Sequence, residues 1–127
     1  MRAAPAGPAA GRKRALRCRT SHDYCRPVDV QLDRHSGASP DAKELEKNLR
    51  AEARDVYGWS NGPGDRYEQH AHSYHKLLYC THGTIDFVLS DGRTLTLRPG
   101  DRMLLPAGTR HAARVGLEGC ACIEGKV

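Results

Sequence analysis

The chain has 127 residues, a formal net charge of +5, seven histidines and five cysteines. This length is enough for one domain with a core that folds alone, and no run of eighteen apolar residues is present to span a membrane. The excess charge lies in residues 1–38, which hold eight Lys and Arg against three Asp, whereas residues 39–127 carry twelve of each sign. A nucleic-acid-binding domain would place its basic residues on a folded face, so a nucleic-acid partner is not expected.

Residues 1–38 are rich in Arg, Ala, Pro and Gly and have little apolar periodicity, which predicts a basic and mostly disordered arm. Its first ten residues contain no continuous apolar stretch, so a secretory signal is not expected. An odd number of cysteines in such a chain favours reduced thiols and a cytoplasmic location. Cys120 and Cys122 would share one face of a strand, where they are expected to pack in a core.

Residues 39–56 are predicted to form a helical segment that packs on the rest of the domain, with the helix over residues 40–54. Ser39 is a suitable N-cap and Pro40 suits the first helical position. Glu46 and Arg50 form a favourable pair four residues apart. A narrow apolar stripe follows helical spacing and consists of Leu45, Leu49, Ala53 and Val56.

Residues 57–127 change to short strands separated by Gly and Pro. The hairpin turn at Asp91-Gly92 and the alternation of residues 94–97 are typical of antiparallel strands. Strands are predicted at residues 67–72, 76–81, 85–89, 94–97, 103–105, 111–115 and 120–123. This pattern predicts an all-β sandwich or barrel preceded by a short N-terminal helix.

Three histidines stand out in this region. His70 and His72 are two residues apart on a predicted strand, so their side chains project from the same face and can share one metal ion. His111 begins another predicted strand after Pro106-Ala107-Gly108. Imidazole suits several divalent ions, and the sequence does not distinguish among Fe, Zn, Mn, Ni and Cu.

The spacing around these histidines resembles two motifs of the cupin superfamily. The first runs from Gly64 through His70-Ala71-His72 and Lys76 to Gly83, and the second runs from Gly100 through residues 106–108 to His111. The resemblance covers residues 57–125 and is to small single-domain members. It implies a jelly-roll β-barrel over residues 57–127, in which His70, His72 and His111 converge as metal ligands.

The chain departs from the cupin pattern at two positions. The first motif usually supplies a glutamate where this chain has Lys76, and the second usually ends in an asparagine where it has Val115. Lys76 has the same parity as His70 and His72 and should face inward if the strand is regular. An ammonium group is no metal ligand, and its charge opposes a nearby dication.

Three interpretations follow. In the first, three histidines and water hold the metal, while Lys76 bends away or pairs with a carboxylate such as Glu68. In the second, Glu68 or His75 replaces the missing ligand after a strand irregularity. In the third, no metal binds, and the histidines and Lys76 form a polar cavity for an anionic small molecule.

The function implied by the resemblance is binding of a divalent metal and a small molecule in the barrel. A catalytic role, of dioxygenase or isomerase type, would use Lys76 as a charge stabiliser or proton donor. The alternative is a non-catalytic small-molecule sensor with a metal-free cavity, since fold does not establish reaction. A homodimer is expected by analogy with other cupins. The aromatic residues Trp59, Tyr67, Tyr74 and Tyr79 could line the pocket mouth, although packing is their commoner role.

Overall fold

The computed structural model describes residues 29–38 and 40–127. In this part of the chain one helix and seven strands follow in the order β1 (Gln31–Asp33), α1 (Ala42–Glu52), β2 (Arg54–Asn61), β3 (Arg66–His70), β4 (Lys76–Leu89), β5 (Thr94–Leu97), β6 (Arg102–Leu105) and β7 (His111–Lys126). All strand pairs are antiparallel, with the order β1-β6-β4-β7-β2, while β3 pairs with β7 and β5 with β4. The all-β cupin fold with a short helix is confirmed.

The barrel is organised by β4 and β7, which pair along most of their length. Residues 76–80 of β4 lie opposite residues 122–126 of β7, and residues 85–89 lie opposite 111–115. Between these halves the register shifts near Gly83. Gly83 has a φ of 67°, and a Cβ there would collide with the carbonyl oxygen of Gly119. This close approach bends the pair, so that one half joins β6 and β2 and the other joins β5 and β3.

The interior is filled by alternate residues of the bent strands, whereas α1 covers the outside. Leu78 and Cys80 of β4 face the main core, and their neighbours Leu77 and Tyr79 pack against the helix. Leu45 and Leu49 of α1 are buried in that second cluster, as the helical stripe predicted. Cys120 and Cys122 are buried in the main core, as expected, and are free thiols there together with Cys80.

The helical segment is shorter than predicted. Asp41 is the N-cap and accepts a hydrogen bond from the Lys43 amide, and Glu52 is the last helical residue. Ser39, the predicted cap, lies outside the described residues. Val56 belongs to β2, a strand that the sequence did not predict, and still packs on the helix cluster. Pairing of β2 with β7 therefore outweighs the helical spacing of Val56.

The prediction of a disordered arm is wrong for residues 29–38. β1 pairs with β6, and Val30 and Leu32 pack on the main core. Buried Asp101 holds the segment after β1, accepting hydrogen bonds from the Arg34 guanidinium at 2.7 Å and the His35 amide at 2.8 Å. Residues 1–28 of the predicted arm lie outside the described part. Across the described ranges, no helix has the length and apolar character that crossing a membrane requires.

Candidate metal and ligand site

The three predicted histidines come together at one end of the barrel. His70 ends β3 and lies directly opposite His111, the first residue of β7. His72 follows in the loop after β3, not on the strand as predicted. The ring centroids of His70 and His111 are 4.4 Å apart, and those of His72 and His111 are 5.3 Å apart. We call these three residues the histidine cluster.

Backbone carbonyls orient two of the rings. The Nδ1 atom of His70 lies 2.7 Å from the Glu68 carbonyl oxygen, and that of His111 lies 2.9 Å from the Thr109 carbonyl oxygen. An Nδ1–H that donates to a carbonyl leaves the Nε2 lone pair free for a metal. The third ring is placed by its backbone, because the His72 carbonyl oxygen accepts a hydrogen bond from the Gly108 amide.

The cluster fits a metal ion by geometry and by chemistry. One ligand nitrogen from each histidine lies within 4.8 Å of the other two, and nitrogens that share one ion at 2.0–2.1 Å are about 3–4 Å apart, so small ring rotations suffice. His72 Nε2 is buried and has no hydrogen-bond partner among residues 29–38 and 40–127, a costly state for a polar atom unless it has a ligand.

The electrostatics keep two of the rings neutral, which is the form that binds metal. Burial, followed by the nearby charge of Lys76, lowers the pKa of His72 to about 4. Burial also lowers the pKa of His111. Neither ring must therefore lose a proton near neutral pH before it binds an ion.

The lining of the same cavity also includes charged side chains. Lys76 faces inward, as its parity predicted, and its Nζ lies 3.4 Å from Glu124 Oε1, with both side chains more than 90% buried. Glu124 also accepts hydrogen bonds from Tyr57 Oη at 2.9 Å and Trp59 Nε1 at 2.7 Å. Partial burial and then the Glu124 contact raise the pKa of Tyr57 to about 12, so its hydroxyl remains a donor. We call Lys76 and Glu124 the Lys76–Glu124 pair.

The partner suggested for Lys76, Glu68, is not the one observed. Glu68 is exposed on β3, whereas Glu124 is 3% exposed and reaches Lys76 from β7. His75, the other suggested substitute ligand, is exposed and its Nδ1 accepts the Ala107 amide hydrogen at 2.9 Å. Both residues lie outside the histidine cluster.

Sequence reasoning missed Glu124, although a signal was present. The sequence predicts that Cys120 and Cys122 face the core from one strand, and Glu124, two residues further on, lies on the same face. A carboxylate at an inward strand position needs a partner, because an unpaired buried charge is very costly. Because Lys76 and Glu124 both occupy inward positions and carry opposite charges, the sequence could have predicted that they pair.

The histidine cluster and the Lys76–Glu124 pair line one cavity of about 290 Å³. Its remaining wall is mostly apolar and aromatic, and consists of Tyr57, Trp59, Tyr67, Ile85, Phe87 and Ala113. Of the four aromatic residues considered for the pocket mouth, Trp59 and Tyr67 are in this wall. Tyr74 lies against His72, and Tyr79 packs under the helix.

A bent antiparallel barrel with histidines converging on an interior cavity defines a cupin. Within that class, residues 55–122 match the model of the AraC-like ligand binding domain, and the chain belongs to this family.

One curated relative and three solved structures show how far the similarity extends. The chain is 41% identical over 58 residues to quercetin 2,3-dioxygenase from Bacillus subtilis, a match covering 44% of this chain and 17% of that protein. The chain therefore spans under a fifth of this relative.

The solved structures share the fold at lower identity. A DUF861 family protein from Thermotoga maritima has a TM-score of 0.54 at 15% identity, covering 78% of this chain and all of that one. The DMSP lyase DddQ from Ruegeria pomeroyi has a TM-score of 0.52 at 22% identity, covering 56% and 36%. An RmlC-like cupin from Shewanella frigidimarina has a TM-score of 0.50 at 22% identity, covering 56% and 62%.

Proposed function

We propose that this protein binds one divalent metal ion through His70, His72 and His111 and a small molecule beside it in the same cavity. The observation that carries the proposal is the buried Nε2 of His72, which lies within a cluster of three imidazoles and has no hydrogen-bond partner in the described part of the chain. A bound metal would supply Lewis-acid chemistry and coordination positions for an oxygen-bearing ligand. The ion is one that imidazole accepts, among Fe, Zn, Mn, Ni and Cu.

Two uses of such a site are supported by different observations. Catalysis of dioxygenase type is suggested by the similarity to quercetin 2,3-dioxygenase over 58 residues. Non-catalytic ligand sensing is suggested by the family, whose members are described as ligand-binding domains. Turnover of a bound compound by the metal-loaded protein would favour the enzyme, and tight binding without turnover would favour the sensor. The cytoplasmic location and the homodimer stay predictions.

The metal site is tested by elemental analysis and chelator competition on purified protein. Wild type should bind about one ion per chain, and His72→Ala and His111→Ala should each lower the affinity by at least about tenfold, since every imidazole contributes one of three ligand nitrogens. His82→Ala is the matched control, because His82 is exposed on β4 and outside the cluster. Equal metal content in all four proteins would reject the site.

A further inference from the structure

The Lys76–Glu124 pair leaves N–H donors of the Lys76 ammonium available to a ligand in the cavity. Glu124 accepts hydrogen bonds from Tyr57 and Trp59 and forms an ion pair with Lys76. An ammonium group has three N–H donors, and among the described residues the one polar partner of the Lys76 ammonium is Glu124, at 3.4 Å. Lys76 therefore lines the cavity with N–H donors that have no acceptor other than Glu124 among the described residues.

The charge balance of the cavity favours an anion. Lys76 and Glu124 cancel one another, so a dication on the histidine cluster would leave the cavity strongly positive. Burial makes that repulsion more costly than it would be in water. A ligand with a negative group near Lys76 would reduce the repulsion and use the free N–H donors at the same time.

The shape and composition of the wall limit the kind of anion. Lys76 is the one Lys or Arg among the cavity-lining residues of the described chain, and the nearby Glu124 carboxylate would repel a dianion. The rest of the wall, including Phe87 and Ile85, matches an apolar or aromatic body. A cavity of about 290 Å³ limits that body to a small one.

We propose that the Lys76–Glu124 pair selects the ligand of this cavity, and that the ligand is a small monocarboxylate with an aromatic or apolar body. The carboxylate meets the Lys76 ammonium, which Glu124 holds in the wall, and the body lies on the apolar side. The inference rests on the proposed function for the presence of a ligand, but its test is independent of turnover.

Trp59 provides the readout. It is the single tryptophan of the chain, lines the cavity and donates to Glu124. Ligand entry should therefore change its fluorescence. The probes are benzoate, its neutral isostere benzamide, and acetate, titrated into zinc-loaded and metal-free protein with calorimetry as a second measurement. Zinc is chosen because it has no redox chemistry.

Benzoate should bind wild type at least about tenfold more tightly than benzamide, since a charge-assisted hydrogen bond supplies that factor. It should also bind more tightly than acetate, which lacks the body. Lys76→Met should remove the preference for benzoate over benzamide. Lys126→Met is the matched control, because Lys126 lies opposite Lys76 in the sheet but outside the cavity lining, and it should keep the preference.

Removing Lys76 alone leaves the Glu124 carboxylate buried without a cation. The double variant Lys76→Met/Glu124→Gln removes both charges, and it should also lose the preference for benzoate over benzamide. Equal affinity for benzoate and benzamide, absence of millimolar benzoate binding, or an unchanged preference in both Lys76 variants would overturn the inference. Zinc content of the same samples separates the two proposals. Charge-selective binding by protein that fails to take up zinc would reject the metal site and leave the selectivity of Lys76 intact.

Discussion

The two sides of the cavity differ in how they satisfy their polar groups. The Lys76–Glu124 pair is closed on the carboxylate side, where Tyr57, Trp59 and Lys76 all reach Glu124. The histidine cluster is open, because the buried His72 Nε2 has no hydrogen-bond partner among the residues that the structure describes. A closed network fixes side chains in place, whereas an open set of lone pairs is suited to an incoming ion. From this difference we expect the Lys76–Glu124 pair to position a ligand and the histidine cluster to coordinate an ion.

The largest expected effect is on the closed side. Glu124→Ala leaves the Lys76 ammonium buried without a counter-ion, so the free energy of unfolding should fall by about 3–5 kcal/mol in urea titrations. The double variant Lys76→Met/Glu124→Gln should lose much less, because it removes both charges. Glu46→Ala, which breaks the exposed pair with Arg50 at 2.9 Å, should cost less than about 0.5 kcal/mol. Equal losses in the first two variants would assign the effect to packing alone.

The open side should show itself in the pH dependence of the metal-free protein. The pKa of His72 is about 4 in the folded chain, below its ordinary value of 6.5, so the unfolded state binds the proton first as pH falls. The free energy of unfolding should therefore decrease between about pH 6.5 and pH 4, by on the order of 2–3 kcal/mol from His72. Burial of His111 acts in the same direction.

His72→Gln should flatten this pH profile, and His82→Ala should leave it unchanged. Lys76→Met should raise the pKa of His72 by part of the shift only, since burial is the larger cause and the Lys76 charge the second. Histidine NMR titrations measure both. A profile that His72→Gln leaves unaltered would contradict the description of this ring as partly buried and neutral.

A smaller effect should appear where the two sides interact. Lys76→Glu replaces a positive charge near the cluster by a carboxylate, and metal affinity should rise by about tenfold, which is about 1.4 kcal/mol. The new carboxylate would also face Glu124, so the gain should be greater when Glu124→Gln is added. Lys76→Met should raise affinity less, because it removes repulsion without adding a ligand. If chelator competition gives the same metal affinity for all three variants as for wild type, the charge at position 76 does not act on an ion in the histidine cluster.

The smallest effect is expected at the rim of the closed side. Tyr57→Phe removes one of the two hydrogen bonds to the Glu124 carboxylate, and Tyr57 is 53% exposed, so water can replace its hydroxyl. The free energy of unfolding should fall by about 0.5–1 kcal/mol, with metal content unchanged. A loss comparable to that of Glu124→Ala would mean that the carboxylate depends on Tyr57 more than its exposure indicates.

The sequence by itself determined the barrel and its histidines. Turn residues at fixed positions and alternating strands are local signals, and so is the close spacing of His70 and His72, although His72 lies in the loop after β3. The helix stripe of Leu45 and Leu49 was equally local and is confirmed. The resemblance to the cupin motifs then added His111, which the structure places opposite His70.

Only the tertiary structure decided which groups meet across the chain. Glu124 reaches Lys76 because β7 crosses beside β4, and β1 pairs with β6 although residues 29–38 show no pattern that predicts a partner. Val56 lies in β2 and not in the helix because β2 pairs with β7, where Tyr57 lies opposite Glu124. The physical reason is common to all three. Local spacing fixes the face that a side chain occupies, whereas its partner is set by strand pairing between residues far apart in the chain, which no local pattern encodes.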